Sequence, residues 1–255
     1  MASIVVYGFP GSTYVQIVKL VLTHKAVEFE FRDLETEMNT PAHRELHPFE
    51  YVPILRHGDF TLYETSAIVG YIDEVFPEPR LTPTSAHQRA KMNQWISAVN
   101  SYYYPQIVFH LSHERSVFPA LGIEPDERVV QAALPKIERA LDVMERELNA
   151  SRPFLVGNEV TLADLFMVPC MTSLARTEEG SATLERHPLV SGWRERMEQL
   201  TSVKRFRAAQ PPRKPIEHAR RWVKTHRPGV LALRALRGVL LRRRAFLRPV
   251  GRRTP

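Results

Sequence analysis

The sequence predicts an α/β unit over residues 1–77 and an all-α domain over residues 85–210, joined by a linker at 78–84. Three observations carry this. Short β-branched or alternating runs interleave with helical periodicity only before Pro77. Pro77, Pro79 and Pro83 interrupt both kinds of pattern. Beyond them, apolar residues recur almost everywhere at three- and four-residue steps.

The first unit reads in order as follows. Ile4 to Tyr7 is a β-branched strand, ended by Pro10-Gly11. Ser12 or Thr13 caps a helix whose Val15, Val18, Val21 and Leu22 share a face. Glu28 to Leu34 alternates as a second strand, and Pro41 to Leu46 suits a short helix. Val52 to Leu55 is an apolar strand, His57-Gly-Asp59 a turn and Phe60 to Tyr63 a fourth strand. Glu64 to Phe76 is a helix with Ile68, Ile72 and Val75 on one face. In the second unit, Ser85 to Val117 predicts a long helix bent near Pro105. Further helices are expected over Glu124–Leu148, Thr161–Arg176, Leu189–Leu200 and Val203–Ala208.

Composition narrows the class. The chain has 255 residues, 44% hydrophobic and 25% charged, within the globular range. A chain of this length buries about 70% of its unfolded surface and needs no staples. Cys170 is the single cysteine, so no intrachain disulfide forms, as suits a reducing compartment. The start lacks the basic and long apolar stretch of a secretory signal, and no uncharged run reaches the ~18 residues of a spanning helix. A cytoplasmic location is expected.

The formal net charge of +7 is unevenly spread. Residues 213–255 hold 14 Lys or Arg against one acid, Glu217, while the rest holds 21 basic and 27 acidic side chains. The body therefore has no electrostatic footprint for nucleic acid. In the 211–255 tail, Leu233, Leu236, Val239, Leu240 and Leu247 oppose Arg234, Arg237, Arg244 and Arg248 imperfectly. A membrane surface or an acidic partner fits such a helix, as does nonspecific nucleic-acid binding, and an appendage with no specific partner is the leading alternative.

Three segments of the first unit can carry chemistry. Ser12 opens a helix straight after a strand, where free N–H groups and an effective charge of about +0.5 favour an anion. Its hydroxyl can cap the helix or donate to a thiolate, and donors at helix N-termini lower a thiol's pKa from ~8.5. Thr13 can take the same role if the loop shifts by one residue. Val52-Pro53 places a proline, which lacks a ladder donor, inside an apolar run. A cis bond there would turn the Val52 backbone outward to pair with an extended peptide. Glu64-Thr65 starts a helix directly after a strand. Glu64 can meet an ammonium group, and Thr65 with the helix N–H groups can meet a carboxylate; both can equally be ordinary start signals.

Tyr7-Gly-Phe-Pro-Gly-Ser-Thr13, His47-Pro-Phe-Glu-Tyr-Val-Pro53 and Glu64-Thr-Ser-Ala-Ile68 resemble, in order and spacing, the cofactor-site segments of cytosolic glutathione transferases. Pro153 to Asp164 is similar to that family's capping-box entry into its core helix. Phe109 to Gly122 followed by Glu124 to Leu148 resembles the serine-type, phi-like branch. The resemblance covers residues 1–210. It implies a thioredoxin-like first domain, glutathione as cosubstrate, a small hydrophobic electrophile as second substrate and a homodimer with Phe49 docking into the partner. It implies that Ser12 stabilises the thiolate, that Tyr51, Val52 and cis Pro53 form the middle of the site with Val52 pairing to the cysteinyl unit, and that Glu64 and Thr65 hold the γ-glutamyl end. A non-catalytic scaffold of the same fold, or a glutathione-dependent etherase, dehalogenase or isomerase, is the alternative.

The sequence departs from the family at several positions. Glu50-Tyr51 replaces the usual Gly-Gln, which removes an amide contact and adds a negative charge. Gln16 stands where arginine is common, and His43, Arg44 and His47 do not align with the family's basic glycine-carboxylate contacts. Tyr102, Tyr103, Tyr104, Phe109, His110, His113 and Phe118 are candidates for the electrophile pocket. His110 and His113 have helical spacing without a third metal ligand, and Cys170 is expected to pack rather than react.

Overall fold

The computed structural model describes residues 2–34, 36–149 and 151–211. The basic tail lies outside them. Four strands, β1 (Ile4–Gly8), β2 (Glu30–Asp33), β3 (Ile54–His57) and β4 (Phe60–Tyr63), form one mixed sheet in the order β2-β1-β3-β4. β1 pairs parallel to β2 and antiparallel to β3, and β3 pairs antiparallel to β4. Helices α1 (Thr13–His24), α2 (Pro41–Leu46) and α3 (Thr65–Val75) complete the first unit.

β1 is buried along its whole length because both faces are covered. Ile4 and Val6 point into the main core with Ile17, Leu20 and Ile68 of α1 and α3. Val5 and Tyr7 point the other way, into a small core with Leu34, Ile54, Leu46 and Val52. The period of two sends successive residues of one strand into two cores.

The third strand begins later than its apolar run predicts. Val52 and Pro53 precede β3, because Pro53 has no N–H to give the ladder. Their peptide bond is cis, as is Glu78-Pro79.

The second unit begins with α4 (Ala86–Ala98), which continues through π-helical stretches at Val99–Tyr103 and Pro105–Val117. The predicted bent helix is thus a wider coil: the Tyr104 N–H reaches back five residues to the Val99 carbonyl. Pro105, with no N–H, cannot continue the usual ladder there. A short turn, α5 (Phe118–Ala120), and α6 (Glu127–Glu147) follow. α6 starts at the Asp126 cap rather than at Glu124, since Pro125 keeps its predecessor out of helical geometry. Next come α7 (Leu162–Leu174), α8 (Glu178–Glu185), α9 (Pro188–Gln199) and α10 (Thr201–Ala208). The periodicity reading misses α8. It is eight residues long, and only Gly180, Thr183 and Leu184 are buried, too few to mark an apolar face. Its cap, Thr177 accepting from Gly180 N–H, and its acidic first turn were the available signals.

The two units share one continuous core, with α1 packed on both α7 and α10. Lys25 and Asp73 form a buried ion pair at this junction. Lys25 also donates to the carbonyls of Phe76 and Pro79, at 2.7 and 2.6 Å, and Asp73 accepts the Leu81 N–H at 3.0 Å. The two charges tie the ends of α1 and α3 to the proline-rich linker. Among the described residues no helix is long and apolar enough to cross a membrane.

Candidate functional site

A cleft of about 520 Å³ lies between the α/β unit and the π-helical segment. Ser12, Thr13, Tyr51, Val52, Pro53, Glu64 and Thr65 all line it. The three chemically suggestive segments, distant in sequence, meet in one place.

Ser12 is the N-cap of α1, and its Oγ accepts the Val15 N–H over a long 3.4 Å. A hydroxyl that accepts through a lone pair keeps its own proton to donate. Capping and donation are therefore compatible roles. The cap sits close against β1: a Cβ at Gly8 would lie 2.4 Å from Val15 Cγ2 and 3.4 Å from Val52 Cβ. Gly8 thus brings the start of α1 and Val52 together. Gln16 donates to the Pro10 carbonyl at 3.1 Å and holds the intervening loop. Thr13, the first residue of α1, is more buried than Ser12.

The segment before Val52 is held by histidine. The Asn39 N–H donates to His43 Nδ1 at 3.1 Å, so the ring proton sits on Nε2, which faces the Tyr51 carbonyl at 3.1 Å. Glu50, at φ 59°, turns outward and accepts from Arg44 Nε at 2.6 Å. The charge that the sequence adds here is paired by Arg44 and does not line the cleft.

Glu64 is the N-cap of α3 with φ 70° and makes no side-chain capping bond. Its carboxylate is not used as a cap, and the N–H groups of the first turn of α3 open onto the same cleft beside Thr65 and Ser66.

The opposite wall comes from the π-helical segment: Asn100, Tyr104, Val108, Phe109, Ser112 and His113. The rings of Tyr14 and Tyr104 are 4.5 Å apart, those of Tyr104 and Phe109 5.1 Å. Tyr14 donates its hydroxyl to Asn100 Oδ1 at 3.1 Å, joining the two walls. Burial, then the nearby Cys170 and Glu64, raises the Tyr14 phenol well above its usual range, so it remains a donor.

Of the seven aromatic and histidine candidates for this wall, Tyr104, Phe109 and His113 line the cleft. Tyr102 is 65% exposed, and Tyr103 is buried with its hydroxyl on the Ala140 carbonyl at 2.6 Å. His110 bonds Gln106 at 3.0 Å, and Phe118 packs with Val117 in a separate small cluster. Facing along this stretch does not follow a 3.6-residue period, because the segment is π-helical. Cys170 is fully buried, and burial pushes its thiol up to about 12. It packs in α7 and is no nucleophile. Tyr14, His47, Ser66 and Asn100 also line the cleft. Their adjacency to Ser12, Val52 and Glu64 was the only signal for the first three, and Asn100 had none.

The family model for the glutathione S-transferase N-terminal domain matches residues 6–80, and that for the C-terminal domain matches residues 97–201. Glutathione S-transferase 3 of Zea mays is 32% identical over 223 residues, covering 83% of this chain and 96% of the relative. Glutathione S-transferase F6 of Arabidopsis thaliana is 30% identical over 198 residues, covering 76% and 93%. The solved structure of glutathione S-transferase III in apo form superposes with a TM-score of 0.76 at 31% identity, covering 84% of this chain and 100% of that one. Glutathione S-transferase I from mais, in complex with an atrazine glutathione conjugate, gives 0.76 at 26% identity over the same shares. With a thioredoxin-like mixed sheet, a helical second unit and these matches along both, the chain belongs to the glutathione S-transferase family.

Proposed function

We propose that the chain transfers the thiolate of glutathione to a small hydrophobic electrophile. The carrying observation is that Ser12, Val52-Pro53 and Glu64-Thr65 converge on one cleft whose far wall holds Tyr104, Val108 and Phe109. The γ-glutamyl ammonium meets Glu64, and its carboxylate meets Thr65 and the start of α3. The cysteinyl unit lies along Tyr51 and Val52. The sulfur then faces the start of α1, where Ser12 donates its proton while its lone pair keeps the cap. The electrophile rests against the Tyr104–Phe109 wall, and attack forms the carbon–sulfur bond as the leaving group departs.

Ser12 is preferred to Thr13 because Thr13 is tucked into the first turn of α1. The Arg44–Glu50 pair favours the enzyme over a non-catalytic scaffold, since it keeps the added negative charge off the peptide. The companion proposals are a homodimer, with Phe49 (62% exposed) on the contact face, a role in detoxification, a cytoplasmic location and a two-domain division at the proline-rich linker.

Thiolate absorbance titrated against pH in the glutathione complex tests the reading. A hydrogen bond to a charged group contributes about 1.5–3 kcal/mol, and 1.4 kcal/mol is one pKa unit. Ser12→Ala therefore raises the bound thiol's pKa by about one unit or more. A bound thiol pKa equal to that of free glutathione, or unchanged in Ser12→Ala, would remove Ser12 from the chemistry.

A further inference from the structure

The basic tail is used neither by the fold nor by the proposed chemistry. The relatives named above are covered over 93–100% of their own lengths, yet they match only 76–84% of this chain. The C-terminal family model ends at residue 201. A remainder about the size of the tail is left over, so its role is not one those relatives supply.

α10 leads into it. Val203 and Phe206 are buried in the main core, and Arg207 donates to Glu198 and Thr172, each at 2.5 Å, so this end of the body is firmly held. α10 contains Lys204, Arg205 and Arg207 and no acid, and Lys204 and Arg205 are exposed. Positive charge therefore begins on the described surface and continues into residues 213–255, with 14 Lys or Arg against one acid.

Between Gly229 and Pro249 the sequence sets six arginines, and no acid, among nine large apolar side chains. Nucleic acid would reward the arginines and leave those apolar groups in water. A protein groove rewards an apolar stripe that fits fixed pockets, but Val230, Leu241 and Arg243 break the stripe of Leu233, Leu236, Leu240 and Leu247. A fluid bilayer asks for no such fit. It takes apolar side chains at its surface while arginines extend to the headgroup phosphates. Six charges are too costly for a spanning segment, so the interface suits this stretch and the bilayer centre does not. We propose that residues 213–255 bind the chain to an anionic lipid surface, with arginines on headgroup phosphates and leucines at the acyl boundary. The body, with 21 basic and 27 acidic side chains, does not share that attraction. The tail is then a tether that keeps the cleft beside a phase in which hydrophobic electrophiles collect.

Co-sedimentation of the full chain with vesicles tests this, using phosphatidylcholine alone and phosphatidylcholine mixed with phosphatidylserine. The chain binds the anionic vesicles and not the neutral ones, and high salt weakens the binding. Each basic side chain near such a surface is worth about fivefold, so replacing Arg234, Arg237, Arg242, Arg243, Arg244 and Arg248 by Gln lowers binding at least about a hundredfold. Replacing Leu233, Leu236, Leu240 and Leu247 by Ala keeps every charge and lowers binding about tenfold or more. Removing residues 213–255 abolishes vesicle binding and leaves the thermal melt of the body unchanged. Equal binding to both vesicle types, or to neither, overturns the proposal. Undiminished vesicle binding by the leucine variant also overturns it, since the attraction is then charge alone. So does tighter binding to a DNA duplex than to anionic vesicles, which would make the partner nucleic acid. None of these outcomes bears on the glutathione chemistry, which the thiolate titration tests separately.

Discussion

Asp164 should control whether the helical unit folds. It is fully buried at the start of α7, and four donors converge on it, each at 2.9 Å. Leu155 N–H and Trp193 Nε1–H take Oδ1; Thr161 N–H and Oγ–H take Oδ2. Burial raises its pKa, against the pull of those donors, all of which need an acceptor and so favour the carboxylate. Asp164→Ala leaves all four buried donors without an acceptor. At about 1–3 kcal/mol for each buried group left unmade, with partial relaxation around the cavity, the loss is about 4–6 kcal/mol. A chain of this kind has ~5–15 kcal/mol in total. Asp164→Asn keeps one oxygen for two donors and turns an NH2 toward the others, so it costs about half as much. Urea unfolding measures both, with a lower midpoint at unchanged slope as the signature. A midpoint for Asp164→Ala within ~0.5 kcal/mol of wild type would refute the claim that this carboxylate ties α7, α9 and the loop before α7 together.

The Lys25–Asp73 pair makes a second prediction. Lys25→Met leaves the buried Asp73 charge uncompensated and should cost about 3–5 kcal/mol, whereas Lys25→Met with Asp73→Leu should recover much of it; equal losses in the single and double variants would count against a buried pair. Stability should also fall in mild acid. His24 and His47 both have pKa values lowered by burial, with Lys25 and His43 as further causes. The unfolded chain then binds protons first, so their contribution is complete above ~6.5 and declines as pH drops through that value toward the folded pKa values. Thermal melts from pH 7.5 to 5 should show the decline, and His24→Asn should flatten it; an unchanged slope would remove His24 from the cause. Cys170, with its thiol near 12 in a fully buried position, should react with an aromatic disulfide reagent only as fast as the chain unfolds. Rapid labelling of the native protein would contradict that packing.

The legible parts of the fold and the opaque parts separate along physical lines. β1, α1, α2, β4 and α3 were readable because each announces itself locally, through alternation, a cap or a proline at the first turn. On the opposite wall Tyr104, Phe109 and His113 were within reach of the sequence as aromatic and histidine candidates, while Asn100 was not, because facing on the wider π turn cannot be read from a 3.6-residue period. Tyr103 and His110, candidates for the same wall, turn instead to the Ala140 carbonyl and to Gln106. The Glu50–Arg44 pair was hidden for a different reason. A change of charge in sequence says nothing about its direction, and only the left-handed backbone at Glu50 turns that carboxylate away from the cleft. Ser12 shows the third kind of limit. Read locally, its hydroxyl had to be a cap or a donor, and the choice looked exclusive. The long 3.4 Å bond from Val15 shows that the alternatives are not rivals, since one oxygen caps with a lone pair and still holds its proton. The close approach of Gly8 to Val15 and Val52 is a tertiary fact that brings the start of α1 beside Val52. Local sequence supplied the hydroxyl, and packing supplies its place in one cleft with Val52 and Pro53.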